Sequence, residues 1–200
     1  MTAKKCEWLS THMQTERRRH LSTAEERRET VLRTAIGAFA SRGYFGTTTT
    51  EVAKAAGISQ AYVYRLFPNK EALFAAVVEH CFVRVRESLE GGAAEAKGSS
   101  PEEVLSSMGN AYAHLISDND LLLVQLHAQA AAVSVPAIRD AVRAGYARTV
   151  EYVRGASGGD DRQVQEFFAV GMLCHLVVSM EAQEVDAPWT RTLTAGIRHY

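Results

Sequence analysis

Apolar positions along the chain recur with helical spacing nearly from end to end. Val31, Leu32, Ala35, Ile36, Phe39 and Ala40 follow an i, i+1, i+4 pattern, which predicts one buried face of a helix. Thr23 with Glu26 has the spacing of a capping box and sets its start, and Gly43 is its left-handed stop. Thr48 with Glu51 repeats the box and opens a short helix that Gly57 ends. Ser59 is the next N-cap, and Pro68 limits the helix it starts. Asn69 caps a long helix whose apolar stripe is Leu73, Phe74, Val77, Val78, Cys81, Phe82, Val85 and Leu89.

The stretch Gly91–Ser100 is a loop by composition. Pro101, Glu102 and Glu103 form a first helical turn, and the helix continues through Ile116. Asp118–Asp120 marks a turn. A helix apolar nearly all round runs from Leu121 to Val133, so it should be buried. Further helices are expected from Pro136 to Arg154, from Arg162 to Gln183, and from Pro188 toward Arg198, with Gly155–Asp161 as a loop. Thr47–Thr50 is β-branched but too short for a strand. The expectation is an all-α chain of about nine helices without internal repeats.

Composition excludes several classes. The chain has 200 residues, 46% hydrophobic and 22% charged, ordinary for a globular protein. Cys6, Cys81 and Cys174 form no C-x-x-C pair, so neither a disulfide framework nor a structural zinc site is supported, and reduced thiols of a cytosol fit. The first twenty residues hold no secretory apolar run. Asp120–Val135 and Phe167–Met180 fall short of the roughly 18 apolar residues of a membrane span. Charge is divided unevenly: residues 1–70 carry 12 Lys or Arg against 6 Asp or Glu, and residues 71–200 carry 10 against 17. A basic N-terminal third on an acidic body points to a polyanion bound at one end.

That basic third contains the decisive pattern. The two short helices of Thr48–Phe67, joined at Gly57, have the pattern of a helix-turn-helix. Val52 and Ala56 face inward, Ala53 is small enough for a close crossing, and Gly57 can take positive φ. Ile58 plugs the angle, and Val63, Leu66 and Phe67 hold the second helix down. Ala61 and Arg65 then point outward, with Tyr62 and Tyr64 on the flanks, which suits the major groove.

Residues 27–78 resemble the DNA-binding domain of the TetR (tetracycline repressor-like) family of bacterial transcriptional regulators. The resemblance rests on Ala35, Phe39, Gly43-Tyr44, Thr47-Thr48, Val52-Ala53, Ala56-Gly57-Ile58-Ser59, Val63-Tyr64, Phe67, Asn69-Lys70-Glu71 and Leu73. It implies a flexible basic arm over residues 1–21, a helix-turn-helix domain over 22–68, and a ligand-binding and dimerisation domain over 69–200. It implies a homodimer on a palindromic operator in double-stranded DNA, with a small-molecule effector that switches DNA affinity. Tyr64, Lys70 and Thr48 resemble phosphate contacts, and Ser59, Gln60, Ala61, Tyr62 and Arg65 lie at the reading surface. Arg65 is either a bidentate partner of guanine or a phosphate contact only. Arg17–Arg19 either reach DNA or form a solvated tail.

Beyond residue 78 the resemblance extends only to helix number, length and order. Tyr112, His114, Leu115, Gln125, His127, Gln129, Tyr146 and Phe167 mix apolar bulk with scattered polar groups, which fits a ligand pocket. The long helix from Asn69 would act as the lever between pocket and DNA. Phe168, Gly171, Met172, His175 and Leu176 have the spacing of a dimer interface, since the last two long helices pair across the twofold in that family. No cofactor or metal is expected: the neighbours His80-Cys81 and Cys174-His175 face different ways on a helix. Gly155-Ala156-Ser157-Gly158-Gly159 matches G-x-S-x-G only formally, because no strand precedes it. The expected function is a ligand-responsive repressor in the bacterial cytoplasm, associated with the nucleoid. The competing classes are a constitutive DNA-binding protein without effector and an α-helical enzyme. The latter lacks any positioned nucleophile or acid–base set.

Overall fold

The computed structural model describes residues 3–197, with side chains for residues 25–197. Among the described residues it holds nine α-helices, a short 3-10 helix and no strand. The helices are α1 (Ala3–Gly46), α2 (Thr49–Ala55), α3 (Gln60–Leu66), α4 (Lys70–Ala94), α5 (Pro101–Leu115), α6 (Asn119–Ala132), α7 (Pro136–Ser157), α8 (Asp161–Ser179) and α9 (Pro188–Thr194).

Capping residues set most starts. Thr48, Ser100 and Asp160 each close a reciprocal capping box, with Glu51, Glu103 and Gln163. Ser59 and Asn69 accept from the backbone amides of Tyr62 and Ala72. Each bond satisfies a donor that the first helical turn leaves unpaired.

Four expected boundaries are corrected. First, α1 begins at Ala3 rather than Thr23, so backbone expected as an arm is helical. No proline or glycine stands between Ala3 and Ile36 to stop it. The side chains of Arg17–Arg19 lie outside the described residues.

Second, α4 passes through Gly91 and Gly92 to Ala94 instead of ending near Leu89. Gly92 is a packing position: a Cβ there would stand 2.8 Å from the Met108 Cα and 2.9 Å from the Ala111 Cβ. The missing side chain lets α5 cross closely, and the Ser107 hydroxyl donates to the Gly92 carbonyl at 2.7 Å. Third, α7 runs to Ser157 and stops at Gly158, which takes a left-handed conformation. Ser157 is buried and donates to the Val153 carbonyl, so it acts as a helix-end residue and not as a nucleophile.

Fourth, α8 ends at Ser179, short of Gln183. Glu181 turns at φ 50°, and the 3-10 helix Ala182–Glu184 follows with Ala182 fully buried.

The largest core cluster joins α1, α2, α3, the first half of α4, α6 and the start of α7. Phe39 and Phe74 meet at its centre with ring centroids 4.6 Å apart. The expected division at residue 68 therefore falls inside one apolar cluster. Each fully buried Phe, Leu or Val in it contributes about 1.5–3 kcal/mol. A second cluster, built on Leu89, Met108, Val153 and Val164, binds the far half of α4 to α5, α7 and α8. A third unites Ile116, Leu122 and Cys174.

Candidate nucleic-acid interface and internal cavity

Helices α2 and α3 meet through Val52, Ala53, Val63 and Phe67, all buried. The turn between them places Gly57 at φ 66°, a conformation that a residue without Cβ adopts at little cost. Thr49 is buried beneath α3 and binds two of its side chains. The Gln60 amide donates to the Thr49 hydroxyl at 2.9 Å, and the Tyr64 hydroxyl lies 3.1 Å from it. Gln60 and Tyr64 thus fix α3 against α2. Ala61 and Arg65 face solvent, and among the described residues Arg65 meets no acceptor.

The supporting cations come from α1 and α4. Arg28 stacks over Phe67 at 4.4 Å and donates to the Leu66 carbonyl at the end of α3. Arg27 donates to the Tyr62 hydroxyl. The Lys70 ammonium lies 4.6 Å over the Tyr44 ring at the start of α4, an electrostatic contact with the ring face. These α1 arginines are absent from the sequence-derived set, because only the tertiary crossing of α1 on α3 brings them to this surface.

Thr48 requires a correction. Its amide and hydroxyl both donate to the Glu51 carboxylate, at 2.8 and 2.9 Å. These bonds hold Glu51 below the usual carboxylate range, and Arg42 pairs with its other oxygen. A carboxylate already occupies the donors expected to meet a phosphate, so Thr48 acts as a helix cap. Ser59 likewise serves as a cap.

The body holds a partly open cavity of about 780 Å³ between α4, α5, α6, α7 and α8, with Gly196 and Ile197 at one side. Of the residues expected there, Tyr112, Gln125, Tyr146 and Phe167 line it. The other four do not. His114 is exposed, Leu115 packs into core clusters, and Gln129 donates to the Tyr146 hydroxyl at 2.9 Å beside a separate small void. His127 points the other way, toward α1, with Nε2 3.1 Å from the Ala40 carbonyl. Helical spacing places these residues on their helices, but packing decides the face each presents. Ser106, Asn110, Thr149 and Gln163, not singled out in the sequence, add polar lining.

A buried polar chain forms one wall of the cavity. The Gln125 amide donates to the Leu121 carbonyl, the Tyr112 hydroxyl donates to the Gln125 carbonyl oxygen at 3.3 Å, and Tyr112 lies 2.5 Å from His175 Nε2. Burial pushes the Tyr112 phenol up and the His175 imidazole down, so both are neutral near pH 7. His175 Nδ1 is buried without a partner.

His175 also corrects the expected dimer face. His175 is buried, and Phe168 and Gly171 line the cavity. Of the expected interface set only Met172 and Leu176 are exposed apolar residues. Val170 and Met180 are exposed as well, but Val170 and Met172 also border the cavity, so Leu176 and Met180 mark the side of α8 turned away from it. The solvent face is rotated by about one residue, or 100° of helix, from the expected one.

No group of three or more His, Cys, Asp or Glu able to hold a metal occurs among the described residues, and none of their helices is long and apolar enough to cross a membrane.

Comparison with known proteins agrees with this architecture. The family model of bacterial regulatory proteins, tetR family, matches residues 31–77. The nucleoid occlusion factor SlmA of Haemophilus influenzae is 44% identical over 59 residues, 29% of this chain and 27% of that protein. The negative transcriptional regulator IcaR of the Staphylococcus epidermidis biofilm operon is 34% identical over 55 residues, 28% of this chain and 30% of that one. The chain thus spans less than a third of the length of either relative. The transcriptional regulator FadR of Bacillus subtilis, solved in complex with stearoyl-CoA, superposes with a TM-score of 0.63 over 85% of this chain and 99% of that one, at 21% identity. The family match covers the helix-turn-helix and its supports in α1 and α4, residues 31–77, and beyond it the helical body is similar to solved regulators in fold alone.

Proposed function

We propose that the chain is a sequence-specific DNA-binding transcriptional regulator that acts as a homodimeric, ligand-responsive repressor on a palindromic operator. The observation that carries this reading is the exposed face of α3, where Ala61 and Arg65 project from a helix locked in place by Thr49, Arg28 and Phe67. Arg65 reads bases in the major groove, while Lys70 and Tyr64 bind phosphates and set the register. A dimer fits two half-sites only when its recognition helices lie roughly 34–36 Å apart. The exposed side of α8, through Met172, Leu176 and Met180, joins two copies. Repression is supported by IcaR, named as a negative regulator, and effector binding by FadR, solved with a bound acyl-CoA.

Two elements connect the cavity to α3. Helix α4 lines the cavity with Phe82, Val85 and Leu89 and begins at Lys70. Helix α6 contributes Gln125 to the cavity and, one half-turn on, His127 to α1. A ligand that repositions either helix changes recognition-helix spacing, and binding is then reciprocally coupled to DNA affinity, typically by about 1–3 kcal/mol.

The test is sequencing of genomic fragments that the purified protein retains, followed by titration of the recovered palindrome against random DNA. The expected result is a preference of at least about a thousandfold for the palindrome. Equal affinity for both would replace the repressor with a non-specific DNA-binding protein.

A further inference from the structure

The two flanks of α3 are bound differently. On the side of α2, Gln60 and Tyr64 both end on the Thr49 hydroxyl, at 2.9 and 3.1 Å. On the side of α1, Tyr62 meets Arg27. A terminal guanidinium nitrogen stands 3.4 Å from the phenol oxygen, and the guanidinium carbon lies 6.0 Å from the ring centroid. Arg27 is exposed and Tyr62 is half-buried.

The chemistry of the pair fixes the direction of its hydrogens. A guanidinium can only donate, so the Tyr62 oxygen accepts. The single phenol proton is then left for a second partner, and among the described residues no acceptor takes it. Arg27 keeps the rest of its N–H donors, and among the described residues no carboxylate pairs with it. The adjacent Arg28 is engaged otherwise, stacked on Phe67 and bound to the Leu66 carbonyl. Arg28 thus anchors α3, whereas Arg27 and Tyr62 hold a cation and a hydroxyl proton side by side. Their common partner is an acceptor that carries negative charge.

Position decides which anion. Tyr62 stands three residues before the exposed Arg65, so the two are neighbours on the surface of α3. The major groove is about 12 Å wide, and a helix with its side chains is about 10–12 Å across. A helix seated there presents its outermost side chains to the bases and its flanks to the two strands that border the groove. Tyr62 lies on such a flank, and Arg27 reaches it from outside α3 altogether. The pair therefore faces the phosphates of one strand and not a base edge.

We infer that Arg27 and Tyr62 form a joint phosphate site on the α1 side of α3. Arg27 supplies the charge and orients the Tyr62 hydroxyl, which donates its proton to the same phosphate. Tyr62 is then a backbone contact that sets the register of α3 in the groove, and not a base reader. This inference rests on the reading of α3 as the helix that enters DNA and adds to it a residue from α1.

The test titrates the full chain with a random-sequence duplex and with the palindrome recovered from genomic fragments, at several salt concentrations. A phosphate contact is independent of sequence, and only a charged one displaces counterions. Arg27→Ala should weaken binding to both duplexes about tenfold and lower the slope of log affinity against log salt by about 0.9 unit for each copy engaged. Tyr62→Phe should weaken binding about threefold and leave the slope unchanged. In the Arg27→Ala background Tyr62→Phe should have no further effect, because the proton is no longer directed. Arg27→Lys should restore the slope. Urea midpoints equal to that of the native protein show that the variants are folded. An unchanged slope in Arg27→Ala overturns the inference and leaves the pair as a tie between α1 and α3. Independent losses that multiply in the double variant overturn the shared site. If the slopes change as expected but no palindrome is preferred, the phosphate site stands and the repressor reading fails. A palindrome preference with unchanged slopes has the opposite meaning.

Discussion

The imidazole of His127 stands across the end of α1, with Nε2 3.1 Å from the Ala40 carbonyl. Gly43 breaks the helical conformation at φ 67°. A side chain from α6, 87 residues away in sequence, adds a hydrogen bond to a carbonyl of the turn before that break. The same ring occupies the space a Cβ on Gly43 would need, since such an atom would lie 2.6 Å from His127 Nδ1. Helix end, glycine and imidazole form one joint between the DNA-binding helices and the body.

That joint sets the first expectation. Gly43→Ala combines a left-handed backbone with a collision and should cost about 1–3 kcal/mol or more in urea unfolding. His127→Ala should cost about 1 kcal/mol through the lost hydrogen bond. Neither residue lines the cavity, so His127→Ala should leave the affinity of any small molecule bound there unchanged. A large loss of that affinity would return His127 to the ligand site.

Positioning and reading of DNA separate experimentally. Lys70→Ala should weaken binding to all sequences alike and reduce the salt slope by about one unit. Arg65→Ala should instead relax preference at particular base pairs, at about 1–3 kcal/mol each. Titrations of operator and random DNA at several salt concentrations measure both. Equal losses on the two DNAs for Arg65→Ala would make Arg65 a phosphate contact.

Leu176 is 45% exposed on the outer face of α8. In a twofold interface every contact occurs twice, so Leu176→Glu introduces two like charges. Sedimentation should show monomers with weakened operator binding. A dimer that survives this change would place the interface elsewhere.

His175 makes stability depend on pH. Burial depresses its pKa below the ordinary value of about 6.5, so the unfolded chain takes up a proton before the folded one does. Its neutral burial is fully favourable above about pH 6.5, and this contribution is lost as pH falls through the folded value. Thermal melts should therefore show the native protein losing more stability than His175→Leu between pH 7 and pH 5. Parallel curves for the two proteins would mean that His175 carries its charge in the fold.

The helix-turn-helix was legible because its constraints are local. Caps at Thr48, Ser59 and Asn69, positive φ at Gly57 and the spacing of Val52, Val63 and Phe67 act within a few residues, and the structure realises each one. The all-α class followed equally from helical periodicity carried through the whole chain. Facing was harder to read. In the apolar helices α6 and α8 almost every position is compatible with burial, so periodicity leaves the rotation of the helix open. Only contact with α1 turned His127 outward from the cavity, and only contact with Tyr112 turned His175 into it. Glycine was ambiguous for the same reason. Gly91-Gly92 has loop composition, but the close approach of α5 makes Gly92 a helical packing residue. Local hydrogen-bond chemistry and periodicity therefore determined which segments are helices and which of them form the helix-turn-helix. The direction of each polar side chain within the body was decided by long-range packing, where the alternatives differ by one rotation of a helix and the sequence carries no local signal to choose between them.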